Sequence, residues 1–218
     1  TNVSNILFVA GYRAHEIRQQ YPNLELVENV KWKNTGSFYS LLLAKPETKR
    51  PLFVNYGDVL FRKDLIVEMQ QSTAPITIAY DSQKKIQPNA LEKREKVIVN
   101  DGQTLRLGYD VPDKWSDGEF IGVVKFSVEA VNHLLKIETV LGKSVQTMHL
   151  SDAIEFLRGC GLYVQAIDVA GEWAEVREPR DIAHFVLGTK AETLARLSKV
   201  LKTATIEDQV SFSVADWE

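Results

Sequence analysis

Short apolar segments that end in glycine, proline or polar residues alternate with helical patterns along the first half of the chain. The apolar segments cover residues 6–10, 24–27, 52–55 and 75–80. Such runs, bounded by turn residues, are typical of strands buried in a sheet. Helical patterns cover residues 13–20, 37–44 and 62–70. The alternation predicts an α/β fold with a mostly parallel, doubly wound sheet, and 218 residues suit one domain of this kind.

The second half of the chain has a different pattern. Residues 96–99 and 104–109 are strand-like, and Asp101-Gly102 between them predicts a hairpin turn. Further strands are expected at residues 119–126 and 162–169, and helices at residues 127–138 and 151–159. Ser151 is the expected N-cap of the second of these helices. An amphipathic helix is predicted over residues 189–202.

Composition excludes several classes of protein. Hydrophobic residues make up 44% of the chain and charged residues 25%, as in globular domains. The formal net charge is −3, too balanced to indicate nucleic acid or an anionic membrane as a partner. No apolar run approaches the roughly 20 residues that span a bilayer. Cys160 is the sole cysteine, which predicts a buried small residue and a cytoplasmic location.

Asp58 is the first candidate for chemistry, because it follows a predicted strand and Gly57. In open α/β sheets, ligands bind beyond the carboxyl ends of the strands. A carboxylate there is suited to hold Mg²⁺ against a phosphate. The alternative role is that of a turn residue capping the helix that starts near Arg62.

Two further segments carry candidate residues. The segment 34–41 gathers hydroxyl groups from Thr35, Ser37 and Ser40 at the start of a predicted helix, where they suit either ligand contact or N-capping. In the segment 173–181, Arg177 and Arg180 suit either a phosphate clamp or ion pairs with neighbouring carboxylates. Glu178-Pro179 predicts the start of a helix.

Taken in order, these segments resemble the nucleotidyltransferase family that activates sugar phosphates, phosphocholine and phosphonates with an NTP. The resemblance covers about residues 5–187. Its motifs are VAGY at 9–12, TGSFYSL at 35–41, VNYGDVLF at 54–61, GEFIGV at 118–123 and WAEVREPRD at 173–181. The family's fold is a Rossmann-like, doubly wound mixed sheet of the nucleotide-diphospho-sugar transferase type, expected here as one domain over residues 1–187.

The resemblance implies roles for individual residues. Asp58 would be the catalytic metal ligand with Mg²⁺ as cofactor, and Glu175, or Glu178 in its place, would substitute for the second ligand. Thr35, Ser37 and Ser40 resemble the part that contacts the nucleotide or the acceptor, and Gly57 is a further expected contact. On this resemblance CTP is the favoured donor. Glu119, Gly122 and Trp173 would line the acceptor pocket, where the face of a Trp suits a choline-type cation or a sugar ring.

Two departures from the family pattern keep a second function open. The family's glycine-rich phosphate loop, which belongs to its first strand, is absent from this sequence, and Arg177 stands where the family often has an Asp metal ligand. The alternative is a catalytically degenerate domain that binds a nucleotide or a sugar phosphate, or an interaction domain that packs against a neighbouring domain of a larger multidomain enzyme. A glycosyltransferase of the related fold ranks third, because Gly57-Asp58-Val59-Leu60 lacks the second Asp of a D-x-D motif.

The ends of the chain suggest a piece of a longer protein. The sequence starts almost directly with a strand pattern and without Met. Residues 188–218 are expected to be a C-terminal helix or linker. Within them, GTKAETL at 188–194 resembles the opening of the ATP-grasp domain of phosphoenolpyruvate synthase-like enzymes, which implies a neighbouring ATP-grasp domain.

Overall fold

The computed structural model describes residues 6–83, 94–188, 193–194 and 202–203. The strands are β1 (Leu7–Ala10), β2 (Glu25–Glu28), β3 (Leu52–Asn55), β4 (Val59–Phe61), β5 (Ile76–Asp81), β6 (Lys96–Asn100), β7 (Gln103–Gly108), β8 (Gly118–Phe126), β9 (Val164–Asp168) and β10 (Trp173–Glu175). The α-helices are α1 (Ala14–Gln20), α2 (Ser37–Leu43), α3 (Lys63–Gln71), α4 (Val128–Leu141), α5 (Leu150–Gly159) and α6 (Pro179–Leu187).

The largest sheet has the strand order β3-β8-β5-β9-β7-β6, and β6 also pairs with β8. This extra pairing closes β8, β5, β9, β7 and β6 into a ring of strands. Within this sheet β5 and β9 are parallel, and every other pair is antiparallel. The mixed α/β class is therefore confirmed. The prediction of a mostly parallel sheet is wrong, because β6 and β7 form a hairpin and β8 runs antiparallel to all its partners.

The chain divides into two compact units. Unit 1 comprises the residues up to Tyr56 and Lys63–Gly171, and unit 2 comprises Gly57–Arg62 and the residues from Glu172 onward. The parallel pair β1–β2 belongs to unit 1, as does the large sheet, and the antiparallel pair β4–β10 belongs to unit 2. The predicted boundary near residue 187 stays a prediction.

The core of unit 1 lies between the large sheet and helices α2, α4 and α5. Its fully buried side chains include Phe38 of α2, Phe126 of β8 and Leu134 of α4. Truncating a buried Phe to Ala typically costs 3–5 kcal/mol, so this face dominates the stability of the unit. Ser127 caps α4 by accepting a hydrogen bond from the N–H of Ala130 at 3.2 Å.

Several local predictions are confirmed and others are wrong. The Asp101-Gly102 turn has positive φ at both residues, 47° and 74°, as the hairpin prediction requires. Ser151 is not the cap of α5. It lies buried inside the first turn, and His149 is the N-cap in a capping box with Asp152. Cys160 is exposed rather than buried. The helix predicted at residues 189–202 lies largely outside the described residues.

Candidate active site

The carboxyl ends of β1 and β2 meet at one edge of unit 1, because the two strands run parallel with Ala10 opposite Glu28. Asn29 follows β2 directly and is 2% exposed. Its side-chain amide donates to the hydroxyl of Thr35 at 2.9 Å and to that of Ser40 at 3.0 Å. Its backbone N–H donates to the carbonyl of Ala10 at 2.7 Å. Asn29 thus brings two of the predicted contact residues together at this edge.

Asn29 was not predicted as a site residue, although a signal was present in the sequence. Polar residues that directly follow buried strands lie where open α/β sheets bind ligands. Two aromatic residues at the same edge were not predicted as site residues either. Tyr12 and Trp32 pack edge to face with ring centroids 5.5 Å apart, and the Nζ of Lys33 lies 5.4 Å from the centroid of Trp32.

Ser37 lies at the start of α2, which is joined to the segment before α5. The N–H of Gly36 donates to the carbonyl of Gln146 at 2.8 Å, and the N–H of Phe38 to the carbonyl of Met148 at 3.2 Å. The hydroxyl of Ser37 accepts from the N–H of Leu150 at 2.8 Å. These groups at the start of α2 therefore have partners within unit 1. Ligand contact by Ser37 stays a prediction.

Glu95 and Tyr56 form a buried polar pair beside Ser37. The Tyr56 hydroxyl donates to the two carboxylate oxygens of Glu95, at 3.2 and 3.0 Å, and lies 3.3 Å from the Ser37 hydroxyl. Glu95 is 6% exposed. Burial raises the pKa of Glu95, and the nearby polar groups of Ser151 and the hydrogen bond from Tyr56 offset part of that rise. Burial, followed by the charge of Glu95, raises the pKa of Tyr56. No local motif marked Glu95, which lies in a charged stretch of the sequence.

Gly122 has a structural reason to be glycine. Its φ is +78°, and a Cβ there would lie 2.2 Å from Cδ2 of Tyr56. The backbone carbonyl of Gly122 also accepts a hydrogen bond from the N–H of Tyr56 at 3.0 Å. The position falls within the irregular part of β8, between its pairings at Phe120 and Val124 with β5. Its role in acceptor binding stays a prediction.

Glu119, the predicted acceptor residue, forms an ion pair. Its carboxylate accepts from Nη1 of Arg94 at 2.7 Å, and both side chains are about three-quarters covered. On β8 it lies between Asp81 of β5 and Lys96 of β6 in the strand register. An acceptor substrate at Glu119 would therefore meet a carboxylate–guanidinium ion pair and not an isolated carboxylate.

Asp58 lies in unit 2, in the exposed turn before β4. Its backbone carbonyl accepts from the N–H of Val176 at 2.6 Å. Within the part of the chain that the structure describes, its carboxylate makes no hydrogen bond or ion pair. The alternative role as a helix cap is wrong, because β4 separates Asp58 from α3.

Glu175 is placed differently from Asp58. It lies opposite Val59 in the β4–β10 register, one position along from Asp58, and strand alternation points successive side chains to opposite faces. Its carboxylate accepts from Arg177 at 2.8 Å. Both observations argue against Glu175 as a partner of Asp58 at one metal ion.

The other residues of the segment 173–181 have structural roles. Trp173 is 8% exposed and pairs with Phe61 across the β4–β10 ladder, so its ring is not an open platform. Arg180 pairs with Glu178 at 3.0 Å. Asp181 accepts from the backbone N–H groups of Arg177 and Glu178, and these bonds lower its pKa. The predicted start of α6 at Glu178-Pro179 is confirmed. The ion-pair alternative is thus the one observed for both arginines.

Asp58 is the predicted site residue that suits a magnesium ion. Mg²⁺ is held in proteins by one or two carboxylates together with substrate phosphates, and the exposed Asp58 carboxylate meets that requirement. Among the described residues, no group of three or more His, Cys, Asp or Glu could hold a metal. The donor set therefore fits an ion that arrives with a phosphorylated ligand. No described helix is long and apolar enough to cross a membrane.

Solved structures that superpose on this chain include proteins named as nucleotidyltransferases. The inositol-1-phosphate CTP transferase from T. maritima superposes with a TM-score of 0.65 and 18% identity, over 92% of this chain and 80% of that one. The CTP:phosphocholine cytidylyltransferase from Streptococcus pneumoniae superposes with a TM-score of 0.58 and 18% identity. The match covers 91% of this chain and 78% of that one. A protein described as a glucose-1-phosphate thymidylyltransferase from Bacillus anthracis superposes with a TM-score of 0.61 and 11% identity. The match covers 94% of this chain and 80% of that one.

At the level of sequence, neither a family model nor a curated protein matches the chain. The likeness to the solved structures, at these identities, shows a shared fold. The expected ATP-grasp start at 188–194 falls partly on undescribed residues, and no comparison supports it.

Proposed function

We propose that this chain is a nucleotidyltransferase domain that transfers a nucleotidyl group from an NTP to a small phosphorylated acceptor. The observation that carries the proposal is the exposed Asp58 carboxylate, which has no described partner, in a chain with the fold of three such transferases. CTP is the favoured donor, on the resemblance of residues 35–41 and on two structures named for CTP-dependent transfer.

The reaction forms one bond to phosphorus and breaks another. An oxygen of the acceptor phosphate attacks the α-phosphorus of the NTP, and the bond from that phosphorus to the bridging oxygen of the β-phosphate breaks. The electron pair leaves with pyrophosphate. A phosphate oxygen at neutral pH is already deprotonated, so no general base is required. The contribution of the protein is positioning and neutralisation of charge.

Each candidate residue except Gly57, Trp173 and Glu175 has a role in this proposal. Asp58 holds Mg²⁺, which supplies positive charge to the phosphates when bound. Thr35 and Ser40, oriented by Asn29, contact the nucleotide, and Ser37 supports them. Glu119, with Arg94 and the backbone at Gly122, contacts the acceptor. The proposal includes a cytoplasmic setting and a transferase domain over residues 1–187, with neither nucleic acid nor membrane as a partner.

One observation favours the alternative of a degenerate binding domain. Arg177 neutralises Glu175 at 2.8 Å, in the segment where the family resemblance implies a second metal ligand. A domain with a single carboxylate could still bind an NTP with its Mg²⁺ but turn it over poorly. This alternative predicts nucleotide binding without product.

Pyrophosphate release tests the proposal against this alternative. The chain is incubated with CTP and Mg²⁺, and with inositol 1-phosphate, phosphocholine or glucose 1-phosphate as the acceptor. We expect pyrophosphate to form with at least one acceptor, and chelation of Mg²⁺ by EDTA to stop it. Nucleotide binding without pyrophosphate from any acceptor would favour the degenerate domain.

A further inference from the structure

We propose that Glu95 is a positioning residue, which acts through Tyr56 to hold the start of α2 in the arrangement that binds the nucleotide. The inference rests on the proposed function and deepens it, since it assigns a role to a buried carboxylate that the reaction itself does not use. Its basis is the order of hydrogen bonds from α5 to β6.

Each hydrogen bond in this series has one possible direction. The Leu150 N–H can only donate, so Ser37 Oγ accepts from it at 2.8 Å. The Glu95 carboxylate accepts the Tyr56 proton at 3.0 Å. The Ser37 proton is then left to donate to the Tyr56 oxygen, 3.3 Å away. The order Leu150, Ser37, Tyr56, Glu95 therefore joins the start of α5, the start of α2, the end of β3 and the start of β6.

The titratable groups around Glu95 come from several elements. Tyr56 follows β3, and Tyr109, whose pKa burial and the charge of Glu95 raise to about 12, follows β7. His149 precedes α5, lies 5.0 Å from Tyr109 between ring centroids, and lowers the pKa of Glu95 by its charge. These groups do not cancel the effect of burial, because the pKa of Glu95 remains raised.

The raised pKa fixes the sign of the effect of Glu95 on stability. A carboxyl group with a higher pKa in the folded than in the unfolded state contributes stability below its unfolded pKa. That contribution is lost as the pH rises through the folded pKa. Glu95 therefore contributes less to the free energy of unfolding at neutral pH than it does in acid. Buried charges that destabilise a fold are frequent at functional sites.

Positioning explains why a carboxyl group is buried here. Tyr56 is kept from other rotamers by the Gly122 backbone against its ring and by Phe120, 6.2 Å away between ring centroids. Because the Tyr56 hydroxyl is held by Glu95, its oxygen accepts the Ser37 proton at one fixed position. Ser40, the next hydroxyl along α2, faces Asn29 at 3.0 Å. A displaced α2 would therefore move a group that the proposed function assigns to the nucleotide.

The test uses two replacements of Glu95 in the full chain. E95Q keeps an acceptor for Tyr56 but removes the charge, and E95L removes both. At pH 7.5 we expect E95L to lower Tm, because the buried Tyr56 hydroxyl loses its acceptor, and E95Q to keep Tm close to that of the wild type. We expect affinity for CTP with Mg²⁺ to fall, about tenfold for E95L and less for E95Q. Hydrogen exchange at α2 should become faster in E95L and stay nearly unchanged in E95Q.

The matched control is E155Q. Glu155 accepts from Arg158 at 2.8 Å and from the Leu107 N–H at 3.2 Å, and it lies outside the Glu95 network. This variant should lower Tm and leave CTP affinity and α2 exchange unchanged.

Loss of CTP affinity and faster exchange at α2 in E95L, but not in E155Q, is the result that supports positioning. The same losses in E155Q would make Glu95 a structural residue, and unchanged exchange at α2 in E95L would also overturn the proposal. A wild-type chain that binds no nucleotide would instead overturn the proposed function. The hydrogen-exchange measurement would then still decide whether Glu95 positions α2.

Discussion

Replacing Asp58 with asparagine is expected to abolish the Mg²⁺-dependent part of nucleotide binding while leaving Tm nearly unchanged. The carboxylate is exposed and has no partner among the described residues, so its loss removes no stabilising contact. Surface substitutions of this kind usually change stability by less than about 0.5 kcal/mol. An amide lacks the charge that would hold Mg²⁺ beside the phosphates. Calorimetric titration of CTP into D58N, with and without Mg²⁺, measures the effect.

The control for D58N is the same substitution in another exposed turn. Asp101 has φ of 47° in the β6–β7 hairpin, a conformation that asparagine tolerates well. D101N should bind CTP as the wild type does, with the same gain from Mg²⁺. If D58N retained the full Mg²⁺ effect, or unfolded, Asp58 would not be the metal ligand.

Replacing Gly36 with alanine is expected to destabilise the protein by about 3 kcal/mol or more. The added Cβ would lie 2.0 Å from the carbonyl oxygen of Met148, which is backbone and cannot rotate away. Relief of this clash would separate α2 from the segment before α5 and weaken the hydrogen bonds of Phe38 and Ser37 there. We expect Tm to fall by roughly 6–12 °C, measured by thermal unfolding followed by circular dichroism.

Gly159 offers the matched control for G36A. It lies in α5, and a Cβ there would meet nothing within 4 Å. Alanine is favoured over glycine in a helix by up to about 1 kcal/mol, so G159A should hold or raise Tm. Equal losses in the two variants would contradict the close approach of Gly36 to Met148.

Much of the fold was predictable because its signals are local. The apolar run at Leu52–Asn55 coincides with β3, and the Asp-Gly turn predicted the β6–β7 hairpin correctly. The strands β4 and β10 escaped prediction, since three residues are too few to show alternation. The closure of the sheet by β6–β8 pairing joins residues that are distant in sequence, and no local pattern reports such a contact.

The candidate site was predictable only in part. A strand followed by Gly57-Asp58 pointed to the exposed carboxylate, and the hydroxyl groups of residues 35–40 pointed to the edge at Asn29. The role of Glu175 as a metal ligand was inferred from the family resemblance. The sequence also allowed an ion pair with Arg177, but it did not show which of the two roles the side chain takes. Glu95 could not be found at all, because its pairing with Tyr56 joins residues 39 positions apart.

The central claim, that this chain binds an NTP through Mg²⁺, is tested most directly by a thermal-shift titration. The chain is titrated with CTP, UTP, GTP and ATP, each with and without Mg²⁺. A ligand at 100 times its Kd adds about 2.7 kcal/mol, which corresponds to roughly 5–10 °C in Tm. We predict a shift that is largest with CTP and grows with Mg²⁺. No shift with any of the four nucleotides would contradict the account.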